Sequence, residues 1–152
     1  MHTVADIMTK EVVSVPPDMA LGEAVRILAK NNIDGVPVVE ENVLIGILTQ
    51  YDLVSKGTAL HLPTMQYMLE HMPVDKKDRA EFREKLKDVL NLRVRDLMNT
   101  EPLVFQAHDT YEHAVTTFRD HHRVNPIPVV DDAYHVIGIV SRYDILKLFE
   151  EI

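Results

Sequence analysis

Leu44-Ile45-Gly46-Ile47-Leu48-Thr49-Gln50-Tyr51-Asp52 returns, 92 residues later, as Val136-Ile137-Gly138-Ile139-Val140-Ser141-Arg142-Tyr143-Asp144. Each stretch is an apolar, β-branched run that reads as a strand, ends in a hydroxyl residue and passes through Tyr-Asp into an apolar helical start. A unit written twice predicts a pseudo-twofold pair. Each copy aims a hydroxyl and a carboxylate from the end of a strand into one cleft, an arrangement suited to a polyhydroxylated, anionic small molecule.

Working outward, Val4-Ala5-Asp6-Ile7-Met8-Thr9 matches Val94-Arg95-Asp96-Leu97-Met98-Asn99. Ile33-Asp34-Gly35-Val36-Pro37-Val38-Val39 matches Val124-Asn125-Pro126-Ile127-Pro128-Val129-Val130. The offset grows from 90 to 91 near Arg123 and to 92 near Tyr134, one extra residue at each of two loops.

Each copy reads as strand, helix, two strands and a closing helix. In the first, Val12–Val15 is the opening strand and Pro16-Pro17-Asp18 stops it, with Asp18 as a helix N-cap candidate. Leu21, Ala24, Val25 and Leu28 recur at helical spacing. Val36–Val39 and Leu44–Leu48 are strands joined by an acidic turn at Glu40-Glu41-Asn42. The second copy repeats the order: strand Leu103–Phe105, helix Thr110–His121, strands Ile127–Val130 and Val136–Val140, and a helix from Tyr143. Asp109 and Glu112 stand at capping-box spacing. The organisation expected is a first repeat over 1–56, an inserted helical hairpin over 57–92 and a second repeat over 93–152. In the insert, Met65, Met68, Leu69 and Met72, then Phe82, Leu86, Val89 and Leu90, share helix faces that either cover the domain or meet a partner.

The 152 residues suit one compact domain or two small halves sharing a core. A hydrophobic content of 46% argues against disorder, and no apolar run reaches the roughly 18 residues of a membrane span. Without cysteine there is no disulfide or thiolate metal site, and no secretory signal pattern is visible, so a cytoplasmic location is expected. A net charge of −8 repels a phosphate backbone and makes nucleic acid an unfavoured partner.

Thr49 with Asp52, and Ser141 with Asp144, form the leading constellation. A hydroxyl donates to a phosphate oxygen, and an ionised carboxylate accepts both hydroxyl protons of a ribose diol. The same Thr-x-x-Asp spacing also caps a helix. Gly46 and Gly138 lie early in the paired strands, where a missing side chain admits another group. From the residues alone, ligand site and helix cap both stand.

These motifs together resemble the cystathionine-β-synthase (CBS) domain pair, or Bateman module. The resemblance rests on the paired Gly-x-x-Thr/Ser-x-x-Asp signatures, on Gly-Val-Pro-Val-Val and Pro-Ile-Pro-Val-Val, and on Asp-Ile-Met-Thr and Asp-Leu-Met-Asn. It covers the chain outside the insert. It implies an α/β (α+β) fold of two pseudo-symmetric β-α-β-β-α repeats packed through their sheets. Between them would lie two clefts that bind AMP, ADP or ATP, or S-adenosylmethionine. It further implies a stand-alone regulatory module, a homodimer of pairs, and an effector that is a separate protein, here unknown.

Carried over residue by residue, Thr49 and Asp52 would serve one cleft and Ser141 and Asp144 the other, hydroxyl to phosphate and carboxylate to ribose. Ile47 and Ile139 would pack on the base. The adenine side would comprise Val13, Ser14, Ile33, Asp34 and Val36 in the first copy, and Val104, Val124, Asn125 and Ile127 in the second, each cleft drawing on both halves. Pro126, standing where the first copy has Gly35, departs from the pattern and lacks an N–H. Arg142 and Arg123, matched by Gln50 and Asn32, would pair with phosphates or form surface salt bridges.

No histidine pair has the spacing of a metal site, and no nucleophile motif, Walker loop or catalytic base is recognisable. No metal, no required cofactor and no enzyme activity are expected. Set against the sensor are an assembly module with vacant clefts and, more weakly, a nucleotide-acting enzyme.

Overall fold

A computed structural model of the protein describes residues 1–55, 87 and 91–151. The hairpin read over 57–92 lies, apart from residues 87, 91 and 92, outside the described residues. Helix α1 is Val4–Ile7, α2 Leu21–Asn31, β1 Gly35–Glu40, β2 Val43–Thr49 and α3 Gln50–Ser55. The second copy follows with α4 Val94–Leu97, α5 Tyr111–Asp120, β3 Ile127–Val130, β4 Val136–Val140 and a closing 3-10 helix Arg142–Glu151.

Strand β1 pairs antiparallel with β2, and β3 with β4. Each hairpin has a register shift at the matching place, Val38/Val39 and Val129/Val130. The first turns through Glu41 and Asn42, both at positive φ, a two-residue connection whose twist suits the flanking strands. The opening strands of the sequence reading do not form. Val15 makes one parallel bridge to Val38, and Phe105 one to Val129. A ladder cannot lengthen there, because Pro37 and Pro128 offer a carbonyl but no N–H and Pro16 follows Val15 at once.

Helix caps also differ from expectation. Helix α2 starts after Ala20 rather than Asp18. Helix α5 is capped by Thr110, whose Oγ1 accepts from the His113 N–H at 3.1 Å, while Asp109 accepts from the Gln106 N–H instead. The closing helix is 3-10 throughout, opened by the Asp144 N–H donating to the Ser141 carbonyl at 3.0 Å.

Two cores form, and the leading turns are exchanged between them. Val94 and Leu97 of α4 pack with Val15, Leu21, Leu28, Val36 and Leu48 of the first copy. Val4 and Ile7 of α1 pack with Phe105, Phe118, Ile127 and Val140 of the second. Each large apolar side chain so buried contributes about 1.5–3 kcal/mol, which ties the copies into one unit. The backbone reinforces the exchange. Thr9 and Ile139 exchange two hydrogen bonds at 2.9 Å, and Asn99 and Ile47 exchange two at 2.8 and 3.0 Å.

This exchange also explains the paired glycines. A Cβ on Gly46 would stand 2.8 Å from the Asn99 carbonyl oxygen, and one on Gly138 would stand 2.5 Å from Met8 Sδ. The group that approaches each glycine is the crossing segment from the other copy, not a ligand.

Candidate ligand-binding clefts

At the end of β2, Thr49 caps α3. Its backbone N–H and its Oγ1 both donate to Asp52 Oδ2 at 3.0 Å, and Thr49 Oγ1 accepts from the Asp52 N–H at 3.3 Å. Ser141 and Asp144 repeat the geometry, the N–H at 2.7 Å and Oγ at 3.2 Å from Asp144 Oδ2. Asp144 Oδ1 accepts from Lys147 Nζ at 2.7 Å. Asp52 and Asp144 are only 5% and 7% exposed. The capping reading of the motif is therefore realised in full at Thr49 and, at Ser141, through the carboxylate, the Asp144 N–H donating to the Ser141 carbonyl instead of to its hydroxyl.

The two signatures open onto two clefts. Cleft one, of about 410 Å³, is lined by Ile47, Thr49 and Asp52 from the first copy and by Asn99, Leu103, Arg123, Val124 and Asn125 from the second half of the chain. Cleft two, of about 490 Å³, is lined by Ile139, Ser141 and Asp144 from the second copy and by Thr9, Val13, Ile33 and Asp34 from the first, with Asn125 on the boundary. Both volumes suit a small-molecule ligand.

At the centre, matched residues meet. Asn125 Nδ2 donates to Asp34 Oδ2 at 2.8 Å, and a Cβ on Gly35 would stand 2.7 Å from Pro126 Cδ. Residues that correspond across the repeat and touch one another mark the pseudo-twofold axis.

Several expected contacts are redirected. Val36 and Ile127 are fully buried in the two cores, because both faces of their strands are covered. Ser14 lines a separate depression of about 340 Å³ near Asn42 and His135. Val104, half-buried, lines none of these clefts, and its neighbour Leu103 lines cleft one instead. Arg142 is turned away from phosphate duty. Its guanidinium donates to the carbonyls of Phe118, His121 and Val124 at 2.8, 2.7 and 3.3 Å, and it sits 5.2 Å from the Phe118 ring centroid. A cation at a helix C-terminus satisfies carbonyls that lack partners.

Arg123, by contrast, lines cleft one, where Nη1 donates to the Tyr51 hydroxyl at 2.8 Å and the guanidinium lies 5.4 Å from that ring's centroid. Tyr51 and Tyr143 were missed by sequence reasoning, although the duplicated Tyr-Asp step carried the signal. Leu103, Asn99 and Thr9 were equally findable, since Leu103 matches Val13 and Asn99 matches Thr9. Among the described residues no cluster of three metal-ligating side chains occurs, and no helix is long and apolar enough to cross a membrane.

The CBS domain family model matches residues 4–57 and 94–151. An uncharacterized protein, MJ1426 of Methanocaldococcus jannaschii, is 32% identical over 95% of this chain and 89% of its own length. In other relatives the chain spans only 22%, 23% or 47% of the length. Among solved structures, Arabidopsis thaliana CBSX2 in complex with AMP has a TM-score of 0.73 at 23% identity, covering 99% of this chain and 98% of its own. The CBS domain pair of protein MJ0100, in complex with 5′-methylthioadenosine and S-adenosyl-L-methionine, has a TM-score of 0.71 at 24% identity, with coverage of 99% and 98%. With a duplicated sequence, pseudo-symmetric clefts and a family match to each copy, the chain belongs to the CBS-domain family as a tandem CBS pair.

Proposed function

We propose that this protein is a non-enzymatic, ligand-sensing module that binds adenosine nucleotides (AMP, ADP or ATP) between its two CBS repeats and signals to a separate partner protein. The observation that carries the reading is that each cleft is completed by the opposite repeat. The Thr49/Asp52 wall faces Val124 and Asn125, and the Ser141/Asp144 wall faces Ile33 and Asp34. A ligand held this way touches both halves and biases how they sit together, the differential affinity that sensing requires. That CBSX2 was solved with AMP, and the MJ0100 pair with two adenosyl compounds, supports the ligand class. A cytoplasmic location, a homodimer of pairs and an effector reached by surface contact belong to this proposal, and no cofactor is called for.

A second reading is favoured by one observation. Because Asp52 and Asp144 already cap helices, a purely structural module has a use for both. A thermal-melt panel with AMP, ADP, ATP, S-adenosylmethionine, NAD and GTP separates the two. A ligand at about 100 times its dissociation constant should add roughly 2.7 kcal/mol per site. Asp52→Asn and Asp144→Asn keep a capping oxygen while removing the charge that receives a ribose diol, so each should abolish the shift at its own cleft. No shift with any compound would leave the assembly module as the function.

A further inference from the structure

The two clefts share a plan but differ in charge. At two matched positions, cleft one is lined by Arg123 and Asn125 where cleft two is lined by Asn32 and Asp34. One pair is net positive and the other net negative. Of the other lining carboxylates, Asp52 and Glu101 in cleft one are matched by Asp144 and Glu11 in cleft two. Lys147, bonded to the cleft-two carboxylate of Asp144, is already committed. Its Nζ donates to Asp144 Oδ1 at 2.7 Å, to the Ile7 carbonyl at 2.8 Å and to Thr9 Oγ1 at 3.4 Å, which uses all three ammonium protons. Arg123 has five donor hydrogens, and only one of them is directed at Tyr51.

Resting on the nucleoside reading above, we propose that the clefts sort adenosyl ligands by charge. Cleft one takes a phosphorylated nucleoside, with Arg123 held over the Tyr51 ring as the phosphate-reading residue. Cleft two takes an adenosyl compound without phosphate, whose 5′ substituent is neutral or cationic. An anion entering cleft two meets Asp34 and Glu11, beside an Asp144 already paired with Lys147, with no uncommitted Lys or Arg among the described lining residues, whereas a sulfonium is favoured there. The module then reports two different ligands at once rather than one ligand twice.

Calorimetry on the whole chain with AMP and S-adenosylmethionine as probes tests this. AMP should fill one tight site, and S-adenosylmethionine should bind the AMP-saturated protein as well as it binds the protein alone. Arg123→Gln should weaken AMP by roughly ten- to a hundredfold, the range for losing one charge-assisted contact, and leave S-adenosylmethionine unchanged. Arg123→Lys should recover part of the loss, which a merely structural arginine would not. Asp34→Asn, which copies the matched Asn125, should weaken S-adenosylmethionine and admit a second equivalent of AMP. Two equal AMP sites in the native protein, displacement of AMP by S-adenosylmethionine, or indifference of AMP to Arg123→Gln in a folded variant would overturn the sorting while leaving nucleoside binding intact. Failure of every adenosyl compound to bind the native chain would remove the nucleoside reading and this inference with it.

Discussion

Replacing Asp52 by Ala removes the oxygen that the Thr49 N–H and hydroxyl share, whereas Asn keeps a side-chain carbonyl in its place. Losing a capping contact costs about 0.5–2 kcal/mol, so Asp52→Ala should be less stable than Asp52→Asn by roughly that amount in urea unfolding. Equal stabilities would show that the cap contributes nothing. Two other carboxylates contribute on the acid side. Asp131 is held below the usual carboxylate range chiefly by the His135 backbone N–H, and Asp6 by the Thr3 backbone N–H. A depressed folded-state value means that the stability they contribute is present above the unfolded value, near pH ~4, and is lost as pH falls through the folded one. Melting temperature should drop on acidification below about pH 4, and the Asp6→Asn, Asp131→Asn double variant should drop less steeply. Parallel curves would refute the assignment. Arg142 shows the limit of reading at this scale. Its place beside the signature suggested phosphate, but which carbonyls a long cation finds depends on where the end of α5 lies in space.

Both hairpins were legible to within about a residue at each end, because alternation and β-branching mark strands and the duplication supplied a second reading of each. The short helices α1 and α4 were legible as matched motifs. Which core receives them was not, since a four-residue apolar turn carries no record of its destination. Gly46 and Gly138 held part of the answer, for a glycine repeated in a strand signals close approach by another group, and here the group is the exchanged segment. The two sites differ in what would have to yield. At Gly46 the nearest atom is the backbone oxygen of Asn99, and at Gly138 it is the flexible Met8 side chain. Gly46→Ala should therefore destabilise by about 1–3 kcal/mol, the range for overpacking, and Gly138→Ala by less. Met8→Ala should offset the effect of Gly138→Ala but not that of Gly46→Ala. The reverse ranking in chemical denaturation would contradict the crossing geometry.

At the scale of the molecule, the exchange of leading turns joins two cores that neither copy completes alone, and among the described residues an apolar surface stands exposed. On the closing 3-10 helix Tyr143, Leu146 and Phe149 are 76%, 50% and 62% exposed. With three residues per turn these side chains stack in one row, so they form a stripe rather than scattered apolar positions. The stripe begins at Tyr143, which lines cleft two, and lies on the helix whose Lys147 is bonded to Asp144. Any surface that packs on this helix is thus mechanically adjacent to a proposed binding site. The homodimer of CBS pairs proposed above would have its docking face here. An isologous contact would place the stripe of one copy against the same stripe of the other. Leu146→Glu and Phe149→Glu together should then turn a dimer into a monomer in sedimentation equilibrium while leaving the far-ultraviolet circular dichroism unchanged. A native chain that is already monomeric at micromolar concentration, or a dimer that survives both charges, would send the search for the assembly surface elsewhere on the molecule.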